Sequence, residues 1–149
     1  IKDLAQPAQE PPPTKDQARA IKFLQLHQNR ISAIKNLTNL PLPGECIFLF
    51  TENSFNAFTF IPYLIQECGT IDELHLSTYS VNLRITHSFA RLLAKNAIGS
   101  VSLLIADSLK HRMPKAVDQL AHLQHLYPKK LKITYAWNHS KIMCARCGE

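Results

Sequence analysis

Between Leu74 and Trp137 the apolar spacing of the chain switches repeatedly between the period of a strand and the period of a helix, and few folds accept such an alternation. Leu74–Tyr79, Val101–Ala106 and Leu131–Trp137 are strand-length runs in which leucine, isoleucine, valine and aromatic residues recur. Between the first two, Ile85, Phe89, Leu92, Leu93 and Ala97 fall at i, i+4, i+7, i+8 and i+12, the stripe of an amphipathic helix that Gly99 is expected to close. Between the second and third, Pro114 suits a first helical turn, and Val117, Leu120, Ala121 and Leu123 supply an inner face up to Tyr127-Pro128. A strand, a helix and a further strand in succession imply a right-handed crossover between parallel strands, so the spacing predicts an α/β fold.

The flanks extend this pattern. Cys46-Ile47-Phe48-Leu49-Phe50 is a near-continuous apolar run, as expected of a strand covered on both faces. Thr51-Glu52-Asn53-Ser54 reads as the loop leaving it, and a helix should run from Phe55 to about Glu67, kinked or broken by Pro62 and ended by Gly69. Downstream, Ile142 and Met143 resume an apolar run, so Lys141–Cys144 reads as a further strand, antiparallel to Leu131–Trp137 if the Asn138 region is a tight turn. The expected sheet is therefore mixed, mostly parallel and flanked by helices.

Three regions follow from this reading. Residues 1–13, with Pro7, Pro11, Pro12 and Pro13 among polar neighbours, form a flexible lead-in. Residues 14–44 carry a helical stripe through Ala18, Ile21, Phe23, Leu24 and Leu26, broken by Pro41 and Pro43. Residues 45–149 are the α/β domain. The sequence begins at Ile1 and stops inside what reads as a strand or hairpin, so a longer protein truncated at its C-terminal side is expected.

No apolar run approaches the roughly 20 residues that cross a bilayer, and no signal-like segment opens the chain; an intracellular, cytoplasmic protein is expected. Its 17 basic and 11 acidic side chains leave a formal charge of +6, a balance that favours polyanionic partners such as nucleic acid. Its four glycines are never spaced as G-x-G, which argues against a glycine-rich phosphate loop. Cys46 and Cys68 read as small apolar residues, whereas Cys144-Ala145-Arg146-Cys147 is a C-x2-C that would supply half a zinc site given a second ligand pair. The absence of that pair makes plain strand residues the simpler reading, and no cofactor is expected.

The chemistry is concentrated in Asn138-His139-Ser140-Lys141. If the chain is already extended there, His139 and Lys141, two residues apart, point to one side. An imidazole and an ammonium facing one small volume suit a phosphate: the ring attacks phosphorus or shuttles a proton, and the cation holds the non-bridging oxygens. Ligands of open parallel sheets bind beyond the carboxyl ends of the strands. The polar residues expected there are Thr51, Glu52 and Asn53; Ser77, Thr78, Tyr79, Ser80 and Asn82; and Asp107 and Ser108. Tyr79, Asn53, Ser140 and Asn138 are the substrate-binding candidates beside His139 and Lys141, while helix capping accounts for much of the remaining polarity. Trp137 is expected in the core or in a pocket wall.

An H-x-K triplet placed after an alternating strand, in this order of elements, resembles the phospholipase D superfamily, whose members carry H-x-K-x4-D and a following Gly/Ser-rich segment ending in Asn in each of two similar halves. Here His139 and Lys141 match, Arg146 occupies the place of the Asp, and the resemblance spans about one half-domain, residues 46–147. It implies a phospholipase D-like half and a metal-independent phosphodiesterase or nuclease in which His139 forms a phosphohistidine, Lys141 holds the phosphate, and a second histidine protonates the leaving oxygen. That second histidine would come from a twin chain in a homodimer or from sequence beyond Glu149. Nucleic acid, DNA before RNA, is the expected substrate and phospholipid the runner-up. A non-catalytic nucleic-acid- or protein-binding module on the same fold, and a generic α/β domain with an accidental triplet, are the competing readings.

Overall fold

The structure, a computed structural model, describes residues 34, 40, 45 and 57–148. The chain divides into two compact units, Ile1–Phe55 and Asn56–Glu149, and the second contains the sheet. The expected helix in 14–44, the expected strand at 46–50 and the polar loop with Asn53 lie outside the described residues.

Within the second unit a 3-10 turn, Ala57–Thr59, leads into helix α1 (Phe60–Cys68), and then come strand β1 (Ile71–Thr78), helix α2 (Leu83–Ala94), strand β2 (Ile98–Ala106), the short helix α3 (Leu109–Arg112), helix α4 (Pro114–Leu126), and strands β3 (Leu131–Ala136) and β4 (Ile142–Arg146). The strand order is β3-β2-β1-β4, with β1, β2 and β3 parallel and β4 antiparallel to β1. The α/β class and the mixed, mostly parallel sheet expected from the spacing are present.

Register explains the core. Leu74, Val101 and Leu131 align across the parallel strands, as do Leu76, Leu103 and Ile133, so every second residue adds an apolar row to one face. The two crossovers step in the same direction across the sheet, which by the handedness rule puts both helices on that face. Phe89 and Leu93 of α2 and Leu120 and Leu123 of α4 accordingly join Leu74, Val101, Leu103, Ile105 and Leu131 in one buried cluster. Pro114 stands in the first turn of α4, as its missing N–H and fixed φ favour.

Three local expectations need correction. Pro62 neither kinks nor breaks a helix, because α1 begins at Phe60 and places the proline in the first turn, where a missing N–H has no intrahelical acceptor to leave unpaired. Gly99 does not close α2: the helix ends at Ala94, the chain turns through Asn96 at φ 54°, and Gly99 lies inside β2. Finally, β4 does not form a hairpin with β3. It crosses to the far edge and pairs with β1, where Leu76 meets Met143 and Glu73 meets Arg146, an apolar pair and a charge pair in one register.

Gly99 has a packing reason in place of the capping one. A Cβ there would lie 2.7 Å from the backbone oxygen of Asp72 on the neighbouring strand, closer than any side chain can sit without moving the ladder. Gly99→Ala should therefore destabilise the domain by about 1–3 kcal/mol, the usual cost of forcing an extra methyl into a packed place, and a urea melt would show it. An unchanged midpoint would mean that the β1–β2 contact yields freely.

Candidate functional site

The site begins with a problem of distance. β3 and β4 are separated by β2 and β1, about 14 Å at ordinary strand spacing, and six residue steps from Ala136 to Ile142 span at most about 20 Å. Residues 137–141 therefore cross the carboxyl ends of β2 and β1, bending at Trp137 and turning locally at Asn138, whose Oδ1 takes the Ser140 N–H. A hairpin that returned the chain beside β3 is incompatible with that span.

Burial alternates along this segment and divides its side chains into two sets. Asn138, only 8% exposed, and the half-buried Ser140 turn toward the strand ends, while Trp137, His139 and Lys141 turn to solvent. The Asn138 amide nitrogen donates to Ser77 Oγ at 3.0 Å, to the Thr78 carbonyl at 3.3 Å and to the Leu104 carbonyl at 3.4 Å. Its Oδ1 accepts from the Ser140 N–H at 2.9 Å and from Ser140 Oγ at 2.7 Å, and the Ser77 and Ser140 hydroxyls are themselves hydrogen-bonded. One side chain thus ties β1, β2 and the crossing segment together with every polar atom engaged. Asn138 and Ser140, expected to bind substrate, are occupied in holding the segment in place.

His139 and Lys141 both come to Tyr79, the residue that leaves β1. The imidazole lies nearly parallel to the phenol ring, 14° between planes and 6.2 Å between centroids, and Lys141 Nζ stands 4.8 Å from the ring centroid. Arg112 of α3 joins them: its Nη2 donates to the Tyr79 carbonyl at 2.7 Å and to Ser108 Oγ at 3.3 Å, and its guanidinium carbon is 5.9 Å from the same ring. Tyr79 is therefore the common neighbour of an imidazole, an ammonium and a guanidinium. Among the described residues neither Arg112 nor Lys141 is paired with a carboxylate, whereas Lys110 is bound to Asp107 at 3.0 Å while lying 4.5 Å over the Tyr135 ring. Burial pushes the Tyr135 hydroxyl up from its ordinary pKa and the Lys110 cation acts against it, so that hydroxyl stays protonated at neutral pH.

The other candidates separate cleanly. Asn82 caps α2, its Oδ1 accepting from the Ile85 N–H at 3.1 Å, and Thr78 Oγ1 accepts from the Ser80 N–H at 3.3 Å in a local turn. Asn53 lies outside the described residues. Trp137, expected in the core or a pocket wall, is 88% exposed with its ring 5.5 Å from the imidazole of His139. Arg112 was not singled out by sequence reasoning, although the dense Lys110-His111-Arg112 run just beyond a strand exit was the signal for it.

Arg146, at the position where the family's Asp would fall, stands at the other end of the sheet. It lies opposite Glu73 and bonds its carboxylate at 3.0 Å, whereas Ile142 near the site lies opposite Ser77, about 14 Å along the strand. That hydrogen bond, then the charge of Arg146, with His75 adding less, holds the Glu73 carboxyl below its ordinary pKa. The arginine therefore takes nothing away from the group around Tyr79.

Cys144 and Cys147 have different surroundings: Cys147, just past the end of β4, packs against the core, Cys144 is exposed beside His75 and Ile142, and no metal-holding group of three or more ligands occurs among the described residues. Burial, then a hydrogen bond that the Cys147 S–H donates to Cys68, pushes the Cys147 thiol up to about 11 from 9.0.

Comparison with protein-family models, with curated proteins and with solved structures finds no match for this chain.

Two outcomes follow from this geometry. Asn138→Ala should cost about 1–3 kcal/mol of stability in a denaturant melt, the penalty for orphaning buried hydrogen-bonding groups. An unchanged melt would refute the clamp. Below pH 9, Cys147 should hold about 100-fold less thiolate than a thiol at the reference value, so iodoacetamide should alkylate it correspondingly slowly. Labelling at the rate of a free thiol, read by peptide mass, would contradict that.

Proposed function

We propose that this domain is a phospholipase D-like phosphodiesterase acting on nucleic acid, with His139 as nucleophile. The observation that carries the reading is the convergence of His139, Lys141 and Arg112 on Tyr79 at the carboxyl ends of a parallel sheet, the place where such sheets receive ligands.

The chemistry assigned to each group is simple. A phosphodiester sits with its non-bridging oxygens toward Lys141 and Arg112, whose charges offset the charge that builds up as phosphorus is attacked. One ring nitrogen of His139 forms a bond to phosphorus as the bond to the leaving oxygen breaks, and that oxygen takes its proton from an acid. Water then attacks phosphorus, passing a proton to the same acid, which now acts as base; the nitrogen–phosphorus bond breaks, and both groups are restored. The acid is a second histidine, supplied by a twin chain or by sequence beyond Glu149, as the likeness to the family implies. Tyr79 orients the imidazole by stacking and keeps both cations near it, while Asn138 fixes where His139 stands. The net charge of +6 favours the polyanion over a neutral substrate. Among the described residues no helix is long and apolar enough to cross a membrane.

His139→Ala should lower phosphodiester hydrolysis by at least about 10³-fold, while its melt stays near that of the parent protein. Lys141→Ala should weaken both binding and rate. Hydrolysis in EDTA should match hydrolysis without it, and cleavage by the His139→Ala protein at the parental rate would end the proposal.

A further inference from the structure

Trp137 has no part in the chemistry just assigned, yet its position is closely determined. It is the only tryptophan of the sequence, and it is 88% exposed. Single exposed apolar side chains are common on protein surfaces and need no purpose. This one differs in what holds it. The preceding Ala136 carbonyl accepts from the Asp107 N–H at 3.0 Å, and the following Asn138 is the buried clamp, so the backbone on both sides of the indole is tied down. Its ring then lies 5.5 Å from His139, which in turn faces Tyr79 with Lys141 and Arg112 around it. Indole, imidazole, phenol and two cations make a continuous series across the strand ends.

We infer that Trp137 is a stacking platform for the nucleobase next to the phosphate held by His139 and Lys141, which makes single-stranded nucleic acid the substrate class. The inference rests on the phosphate-binding reading of His139 and Lys141. Every base has a π-face and every nucleotide a phosphate, so an aromatic ring placed one residue-pair away from a cationic phosphate site engages both parts of a nucleotide. In a duplex the base faces are already stacked on their neighbours, and exposing one to the indole costs unstacking and unpairing. A lipid surface is a poorer fit, because residues 138–141 beside the indole are polar and supply no apolar face to enter the bilayer boundary.

The single tryptophan reports directly on its own contact. Titrating the protein with a thymidine oligonucleotide should quench its tryptophan emission, and a strand of equal length and charge made of abasic nucleotides should bind more weakly and quench little. Trp137→Ala should weaken the thymidine strand by about 5- to 100-fold and leave the abasic strand unaffected, while Trp137→Phe keeps most of the affinity. Equal affinity for thymidine and abasic strands with unchanged emission would overturn the platform and leave the phosphate site standing. Binding of neither strand would overturn both. An emission shift with anionic phosphatidylserine vesicles and none with oligonucleotide would assign the indole to lipid and also overturn the inference.

Discussion

The arrangement depends on one buried amide. The chain that leaves β3 must reach the opposite edge of the sheet to become β4, and the segment that makes the crossing forms no ladder of its own over the strand ends. Asn138 supplies what a ladder would: three acceptors on β1 and β2 for its nitrogen, and two donors on Ser140 for its oxygen. A satisfied polar network of this kind is worth more in a low-dielectric interior than at the surface, and a half-satisfied one costs more. The consequence is directional. With Asn138 and Ser140 committed inward, Trp137, His139 and Lys141 are left exposed together.

Tyr79 does for the charges what Asn138 does for the backbone. Cations of Lys141 and Arg112 would repel one another at short range, but the negative face of an aromatic ring attracts both, and the Tyr79 carbonyl fixes the guanidinium by a 2.7 Å hydrogen bond. Among the described residues the ring therefore gathers positive charge without a carboxylate. Lys110 shows the contrast, since its bond to Asp107 satisfies it within the fold.

In sequence Arg146 stands close behind His139 and Lys141. The antiparallel run of β4 carries it away from the strand ends and into a cross-strand pair with Glu73, so it acts on the sheet and not on the group around Tyr79. The two cysteines carry the same lesson: near neighbours in sequence, they end in different surroundings, Cys144 exposed on β4 and Cys147 against the core.

Periodicity alone determined the α/β class and the places of β1, α2, β2, α4 and β3, because each follows from local spacing: apolar residues that recur along one face. Tyr79 was legible too, as the aromatic residue at a strand exit. Only the tertiary structure decided where β4 pairs, and with it the crossing that commits Asn138 and Ser140 inward and exposes Trp137. The partner of an edge strand is chosen by contacts between residues far apart in sequence: Asn138 with Leu104, Met143 with Leu76, Arg146 with Glu73. The same is true of Arg112, which reaches Tyr79 across a separation no local pattern encodes.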